Sequence, residues 1–252
     1  MHKLVAAAAL VLLGVDGSPS SISNTKPSIL VELFTSEGCS SCPAADALLA
    51  RLHAEQPLTG EVIVLEFHVD YWDRLGWKDP FSSAAFTRRQ QEYSRVFGSE
   101  RIYTPQMVVD GEAELIGSDE REARRAIEKA AERSHLPLRV TARAAGAVVR
   151  LSMDAPSRPA DTEPIDILVA LAEDGLTSVV KRGENGGRTL DHVAVVRRIE
   201  KTGALDADAF VAQGEWRLDP SWRRANLRAV AWLQGRKSHR VYGTASATVE
   251  DR

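Results

Sequence analysis

The chain carries no excess of either charge, and beyond its first residues it has no long apolar segment. It contains 32 Lys and Arg against 35 Asp and Glu, a formal net charge of −3 over 252 residues. A surface that binds nucleic acid needs a basic excess to neutralise phosphates, so this balance disfavours nucleic acid as the main partner. A membrane-spanning helix needs about 18 or more apolar residues in a row, and no later segment reaches that length. Stable membrane insertion is therefore not expected for the processed protein.

Cofactor motifs and cysteine-rich patterns are missing too. The chain has no Gly-rich flavin or nicotinamide fingerprint, no phosphate-binding loop completed by a lysine, and no Met- or His-rich tract. Only two cysteines occur, so a framework of several structural disulfides is excluded. We expect a globular protein without a cofactor or a resident metal ion. Its 44% hydrophobic and 27% charged residues are typical of that class.

The N-terminus differs from the rest of the chain. The first three residues carry positive charge, residues 5–15 form an almost unbroken apolar run, and small residues follow. This run of about eleven residues is too short to cross a bilayer and is typical of a secretory signal peptide. The sequence predicts a signal peptide at residues 1–24 and a periplasmic or secreted mature protein. A buried N-terminal strand or helix is the alternative.

Strand and helix patterns alternate in the first half of the mature chain. Residues 28–34 are an apolar run suited to a buried strand, Pro43 opens a helix with an apolar face, and residues 62–69 are rich in β-branched side chains. Strand, helix and strand in this order predict a βαβ unit with a parallel pair. Three further elements are predicted: a helix at 82–97, a hairpin turn at Asp110-Gly111 and a helix after Ser118.

After residue 137 the pattern changes to short strands separated by glycine-containing turns. The predicted strands lie within 138–153, 165–172, 193–199, 227–234 and 241–249. Few helical patterns interrupt them, which favours an all-β fold. The sequence therefore predicts two domains after the signal peptide, an α/β domain over 25–136 and an all-β, sandwich-like C-terminal domain over 137–252.

Gly38-Cys39-Ser40-Ser41-Cys42-Pro43 is the sharpest motif, because it follows a predicted buried strand and opens a helix. Unpaired backbone N–H groups and the helix dipole stabilise a thiolate at such a position. We expect Cys39 to be the more exposed, attacking sulfur, and Cys42 to resolve the mixed disulfide one turn later. The negative charge of Glu37 works modestly against thiolate formation. An inert local disulfide is the alternative.

Thr104-Pro105 precedes a predicted strand and completes a pattern that resembles the thioredoxin superfamily over residues 28–134. The resemblance implies a thioredoxin-like fold for the N-terminal domain. In that superfamily the residue before a cis-proline faces the CxxC motif and contacts the incoming peptide. By resemblance, Thr104 and Pro105 are expected to bind substrate.

A narrower resemblance is carried by several segments together. They are VELFTSEGCSSCPAAD, YWDRLGWKDPFSS, RQQEY, YTPQMVVDG and GENGGRTLDHVAVVR. In combination they are similar to one family of secreted bacterial proteins of unknown function with a thioredoxin-like N-terminal part. The match extends over most of the mature chain. It implies the fold and export, and it implies no substrate.

Polar and aromatic residues follow the second predicted parallel strand. Ligands gather at the carboxyl ends of strands in an open α/β sheet, where the Cys39 loop is also expected. Asp70, Tyr71 and Trp72 are therefore predicted to line the redox site, with Asp70 relaying protons to Cys42. The alternative is that these side chains, and His68 above all, belong to the core.

A Gly-rich segment in the second predicted domain, residues 183–188, contains Glu184 and Asn185 and is followed by His192. It reads most simply as a flexible turn. Its polar groups are the candidates for a second site that covers the redox pair or binds a ligand. A phosphate loop is a poor interpretation, because no helix follows.

Three functions remain open from the sequence. The first is a thiol–disulfide oxidoreductase that acts on a redox partner protein or a small thiol. The second is a soft-metal module in which Cys39 and Cys42 bind Cu(I), with a histidine as third ligand. The third is an adaptor whose β-rich half binds a partner. The direction of the redox reaction does not follow from the sequence.

Overall fold

The computed structural model describes residues 27–56, 60–99, 101–205 and 210–251. The predicted signal peptide at residues 1–24 lies outside these ranges. Strands account for 45% of the described residues and helices for 21%. Within the same residues, no helix combines the length and the apolar character needed to cross a membrane.

The first half of the described chain contains the elements that its local patterns predict. They are β1 (Ser28–Thr35), α1 (Cys42–Glu55), β2 (Glu61–His68), α2 (Ala84–Val96), β3 (Gln106–Val109), β4 (Ala113–Ile116) and α3 (Glu120–Ala131). Pro43 lies in the first turn of α1, where its missing N–H costs nothing. Ser83 and Asp119 cap α2 and α3 by accepting hydrogen bonds from the backbone N–H groups of Ala85 and Glu122. The sequence predicts a helix after Ser118, and the observed cap of α3 is the next residue, Asp119.

The second half of the described chain consists of nine strands. They are β5 (Arg139–Ala145), β6 (Val148–Ala155), β7 (Ile165–Glu173), β8 (Leu176–Val179), β9 (Thr189–His192), β10 (Val195–Leu205), β11 (Phe210–Arg217), β12 (Leu227–Gly235) and β13 (Val241–Asp251). The only helices outside α1–α3 in the described residues are single 3-10 turns at Asp73–Leu75 and Arg224–Asn226.

Eleven strands form one mixed sheet in the order β11-β6-β5-β13-β12-β7-β10-β2-β1-β3-β4, and β8 pairs with β9 in a separate hairpin. β1 and β2 are parallel, as predicted. On its other side β2 meets β10 through a parallel pair between Glu66 and Val195. The sheet is therefore continuous from the N-terminal strands to the last one.

This continuity overturns the expected fold class, an α/β thioredoxin-like domain followed by a separate all-β sandwich. The described residues are mostly β, and one 11-stranded mixed sheet holds strands from both halves, with only three α-helices packed on it. The prediction failed because the alternation of apolar side chains reports whether a segment is a strand. It does not report which strand edge pairs with it. The predicted boundary at residue 137 stays a prediction.

Two apolar cores share the middle strands of the sheet. Alternate residues of β12 point to opposite faces, so Val230 and Trp232 pack in the core with α1 and β1, while Ala229 and Ala231 pack in the second core. A strand that is buried on both faces has a continuous run of apolar residues in its sequence, as β12 has. The shared strands make each core depend on the other.

Candidate functional site

Cys39 and Cys42 form a disulfide with a Cα–Cα separation of 5.4 Å at the start of α1. The turn is closed by backbone hydrogen bonds from Cys39 N–H to Ser36 and from Cys42 N–H to the Cys39 carbonyl. Ser41 occupies the N-cap position without capping the helix through its side chain. Its hydroxyl instead lies 3.3 Å from Cys39 Sγ. The first turn of α1 itself contains no acidic residue.

Both cysteines are buried, whereas Cys39 was expected to be the more exposed of the two. Cys39 is 1% and Cys42 is 0% exposed. The loop between β8 and β9 contacts the disulfide turn. Asn185 Nδ2 donates to the backbone carbonyls of Glu37 and Cys39, both at 2.9 Å. A pattern of turn residues in the sequence does not reveal what a loop will cover.

A second contact ties the same loop to the motif. Glu184 Oε2 accepts a hydrogen bond from Ser40 N–H at 3.0 Å, and this interaction lowers the pKa of Glu184. Arg188 Nη1 donates to Asn185 Oδ1 at 2.9 Å and so orients the amide. Two of the three candidates in the second half of the chain thus touch the disulfide turn directly.

Trp72 and Thr104 lie beside the turn as well. Trp72 Nε1 donates to Thr104 Oγ1 at 2.8 Å. A Cβ atom added to Gly38 would lie 3.2 Å from Trp72 Cβ, so the first side-chain atom of Trp72 lies close to the residue before Cys39. The Thr104-Pro105 peptide bond is cis. That these residues bind substrate stays a prediction.

Asp70 and Tyr71 are differently placed. The Asp70 carboxylate accepts a hydrogen bond from Thr87 Oγ1 at 2.5 Å, which ties it to α2. Among the hydrogen bonds of the described residues, none joins Asp70 to Cys42, so the expected proton relay has no direct geometric support. The Tyr71 ring lies 6.4 Å from that of Trp72, and burial raises the pKa of Tyr71.

Beneath the disulfide turn lies a buried group of ionisable side chains, which we call the histidine cluster. Its members are Glu37, Glu66, His68, Asp79 and His192. Glu66 and His68 lie on the same face of β2, two residues apart, and His192 ends β9. Each of the five residues is at most 2% exposed.

The cluster is connected by short contacts. His68 Nδ1 lies 2.7 Å from Asp79 Oδ2, and His68 Nε2 lies 3.2 Å from Glu66 Oε1. The same Glu66 oxygen is 2.7 Å from His192 Nδ1. His192 Nε2 is 3.4 Å from Glu37 Oε1. Each imidazole therefore presents one nitrogen to Glu66 and the other to a second carboxylate.

These contacts shift the pKa values strongly. Burial alone lowers the pKa of an imidazole, but Asp79 and Glu66 outweigh it for His68 and raise the pKa to about 10. Burial of His192 is likewise outweighed, mainly by Glu66 and Glu37, and its pKa rises to about 11. Burial would raise the pKa of Glu66, yet the two histidines lower it to about 2. Without a metal ion, the cluster holds cationic imidazoles against anionic carboxylates.

Asp46 is a further buried carboxyl group near the site. It lies four residues after Cys42 on α1, hence on the same helix face, and its Oδ1 accepts a hydrogen bond from Thr35 Oγ1 at 2.7 Å. Burial and the charge of Glu66 raise the pKa of Asp46 to about 7, against the opposing effects of His192 and Thr35.

Sequence reasoning missed most of the cluster. Glu66 and His68 did leave a signal, because two ionisable residues at alternate positions of an otherwise apolar strand must share a buried face. Asp79 left none, since it lies in a loop. Glu37 was noted only as a charge near Cys39. His192 was named as a candidate without its partners.

Comparison with protein families gives one match. A family model described as "Protein of unknown function (DUF1223)" matches residues 30–234. No curated protein is significantly similar to the chain.

Two solved structures resemble the chain over most of its length. A structural genomics crystal structure of a protein from Agrobacterium tumefaciens is 27% identical with a TM-score of 0.67, over 88% of this chain and 93% of that one. HBP35 of Porphyromonas gingivalis is 16% identical with a TM-score of 0.64, over 89% of this chain and 76% of that one. The second likeness concerns the fold alone.

Proposed function

The chain belongs to the DUF1223 family of proteins of unknown function, and we propose that it carries out thiol–disulfide exchange through Cys39 and Cys42. The substrates in this proposal are the thiols or disulfides of a redox partner protein or of a small thiol. The observation that carries it is the disulfide at the start of α1 with the Ser41 hydroxyl beside Cys39 Sγ.

The exchange balances without any other reactant. A substrate thiolate attacks Cys39 Sγ, the Cys39–Cys42 bond breaks, and Cys42 leaves as a thiolate that takes up a proton. A second substrate thiolate then attacks the substrate sulfur of the mixed disulfide and releases Cys39. The protein gains two electrons and two protons, and the substrate becomes a disulfide. Run backwards, the same steps reduce a substrate disulfide.

The helix start stabilises the sulfur that must carry charge. Backbone N–H groups at the beginning of α1 and the helix dipole favour a thiolate at Cys39. The Ser41 hydroxyl, 3.3 Å from the sulfur, is placed to donate a hydrogen bond to it. Asp46, with a pKa of about 7, is placed one helical turn from Cys42 to exchange a proton with that thiol.

Access to the sulfurs in this proposal requires the 183–188 loop to move. Asn185 and Glu184 hold it on the disulfide turn, and Ser40 and Ser41 are the exposed residues of that turn. Gly183 and Gly187 have φ angles of +80° and +84°, a region open to glycine. A substrate that competes for the carbonyls of Glu37 and Cys39 would replace the loop contacts.

An exported location is part of the proposal, since the predicted leader precedes a disulfide that an oxidising compartment maintains. Fusion of residues 1–30 to a reporter that is active only after export tests it. Reporter activity supports export, and a reporter that stays inside the cell contradicts it.

The redox test is equilibration of the full mature protein in glutathione buffers, with thiols alkylated and counted by mass spectrometry. Only two cysteines occur in the chain, so every alkylated thiol belongs to the pair. We expect a reversible transition between zero and two alkylated thiols. A pair that never reduces, or reduces only after unfolding, contradicts the proposal.

Two variants separate exchange from other uses of the cysteines. Cys42→Ser is expected to trap a mixed disulfide at Cys39, whereas Cys39→Ser is not. Ser41→Ala is expected to slow alkylation of Cys39 at pH 7 because the thiolate loses its hydrogen bond. Stoichiometric Cu(I) binding by the reduced pair, without exchange, would favour the soft-metal interpretation.

A further inference from the structure

The histidine cluster contains ionisable side chains for which thiol–disulfide exchange has no use. Glu66, His68 and His192 each offer one possible ligand atom, and these atoms lie within 4.8 Å of one another. The two imidazole rings are edge to face with centroids 4.8 Å apart. Three protein ligands from β2 and β9 thus converge in a space with no exposed side-chain surface.

Three polar atoms in this space make no hydrogen bond within the described residues. They are His68 Nε2, His192 Nε2 and Glu37 Oε1. Glu66 Oε1 is only 3.2 Å from His68 Nε2, yet the geometry does not satisfy a hydrogen bond. Buried polar atoms in native proteins are almost always paired, and an unpaired one is costly. His192 Nε2 and Glu37 Oε1 face each other at 3.4 Å without forming a hydrogen bond. Three such atoms in one buried cluster indicate that a binding partner completes it.

The outer contacts resemble those of metal-binding histidines. Such histidines usually donate their second ring nitrogen to a carboxylate, which sets the tautomer and the ring orientation. His68 Nδ1 contacts Asp79 Oδ2 at 2.7 Å. Asp79 is itself held by the backbone N–H groups of Glu37 and Phe81, at 2.8 and 2.9 Å. Nε2 is therefore the His68 nitrogen left to face the centre.

The charge balance also suits a cation. The ion pairs and hydrogen bonds of Glu37, Glu66 and Asp79 in the described residues include no lysine or arginine. Their negative charge is otherwise opposed only by the two histidines. A divalent ion would displace the two imidazolium protons and supply the same two positive charges to the buried carboxylates, so binding would leave the net charge of the cluster unchanged.

We propose that Glu66, His68 and His192 bind one divalent first-row transition ion, of which Zn(II) is the probe of choice. Two imidazoles and one carboxylate are the nitrogen and oxygen donors that such ions accept, and three protein ligands leave a further coordination position. The cysteines are not among the ligands. The site lies directly beneath the redox turn, since Glu37 precedes Cys39 by two residues and Asn185 bridges their carbonyls.

The test is a Zn(II) titration of the oxidised, full mature protein after treatment with EDTA. One ion per chain is expected, because the disulfide removes both thiols from competition. His192→Gln is expected to abolish stoichiometric binding, and Asp79→Asn to weaken it by about 10- to 100-fold. His135→Gln is the matched control, since His135 also pairs with a carboxylate, Asp110, at 2.8 Å but lies outside the cluster.

Ligand identity is read from Co(II) spectra of the wild-type protein, which does not depend on a variant that folds. Visible bands without a thiolate charge-transfer band support the proposal. The Cys39→Ser/Cys42→Ser double variant must keep one Zn(II) per chain. No binding by the oxidised wild type, binding that needs reduced cysteines, or unchanged binding by a folded His192→Gln variant overturns the proposal. None of these outcomes decides whether the disulfide exchanges, so the two proposals fail separately.

Discussion

Neighbouring strands β1 and β2 each carry one cluster of buried charge, and the two clusters are neutralised in different ways. On β1, Glu32 accepts hydrogen bonds from both Arg89 Nε and Arg89 Nη2, at 2.6 and 2.9 Å. Tyr93 donates to Glu32, and Gln234 joins Arg89 and Tyr93. None of these four side chains has a buried atom without a partner. A guanidinium is permanently charged, so the cation of this arginine cluster does not depend on pH.

The histidine cluster, in contrast, has two groups whose charge depends on pH or on a metal ion. It also has three unpaired buried atoms, whereas the arginine cluster has none. The difference shows that burial and charge alone do not mark a functional site. A completely paired ion network stabilises the fold, and an incompletely paired one beside the disulfide turn is suited to bind a ligand or to exchange protons.

The largest effect is expected from breaking the arginine cluster. Arg89→Met leaves the Glu32 carboxylate buried without its cation, and should lower the free energy of unfolding by about 3–5 kcal/mol. Urea denaturation followed by circular dichroism measures this. The control is Arg51→Met, which breaks an exposed pair with Glu120 and should cost far less. Equal losses in both variants would show that burial of the pair is irrelevant.

The next effect concerns pH. The pKa of Asp46 is raised from 3.8 to about 7, so the folded state retains a proton that the unfolded state releases. Stability from this group is complete below about pH 4, falls as the pH rises through 7, and stays low above it. Asp46→Asn should therefore stabilise the protein at pH 8, on the order of 2–4 kcal/mol, and hardly at pH 4. The urea midpoints of the variant and the wild type at the two pH values test this prediction. An equal gain in stability at pH 4 and pH 8 would refute the raised pKa of Asp46.

A smaller effect is expected from freeing the loop over the disulfide. Asn185→Ala removes two hydrogen bonds. The Cys39 carbonyl keeps the N–H of Cys42, whereas the Glu37 carbonyl loses the partner it has among the described residues, at a cost of about 1–3 kcal/mol. The disulfide should then be reduced faster by dithiothreitol. Asn226→Ala is the control, because its amide also donates to a backbone carbonyl, that of Asp174, away from the site. The loop is not a barrier to access if both variants are reduced at the wild-type rate.

The smallest effect is expected at the edge of the same loop. Glu184→Gln keeps an oxygen to accept from Ser40 N–H and removes only an exposed charge. We expect no measurable change in the urea midpoint and a small change in reduction rate that disappears at high salt. A stability loss as large as that of Asn185→Ala would mean that the charge, rather than the amide, holds the loop.

The elements around the disulfide could be predicted because their signals are local. The apolar run of β1, Pro43 at the start of α1 and the β-branched residues of β2 specify a strand, a helix and a strand within one stretch of chain. The separate β domain was predicted wrongly because strand pairing between distant segments leaves no local signal. β10 pairs with β2 although more than a hundred residues of sequence separate them, and the sequence of neither strand indicates which strand it pairs with.

The residues of the site also fall into two groups, those that local sequence predicts and those that only long-range contacts bring together. Cys39 and Cys42 owe their spacing and their place at a helix start to adjacent residues, so short-range physics suffices to identify them as a pair. The loop that buries them and the meeting of His68 with His192 depend on chain segments far apart in sequence. Long-range contacts are made when apolar faces pack and strand edges pair, and many segments compete for those positions. The disulfide motif is therefore a property of the sequence, and the buried cluster beneath it is a property of the packed fold.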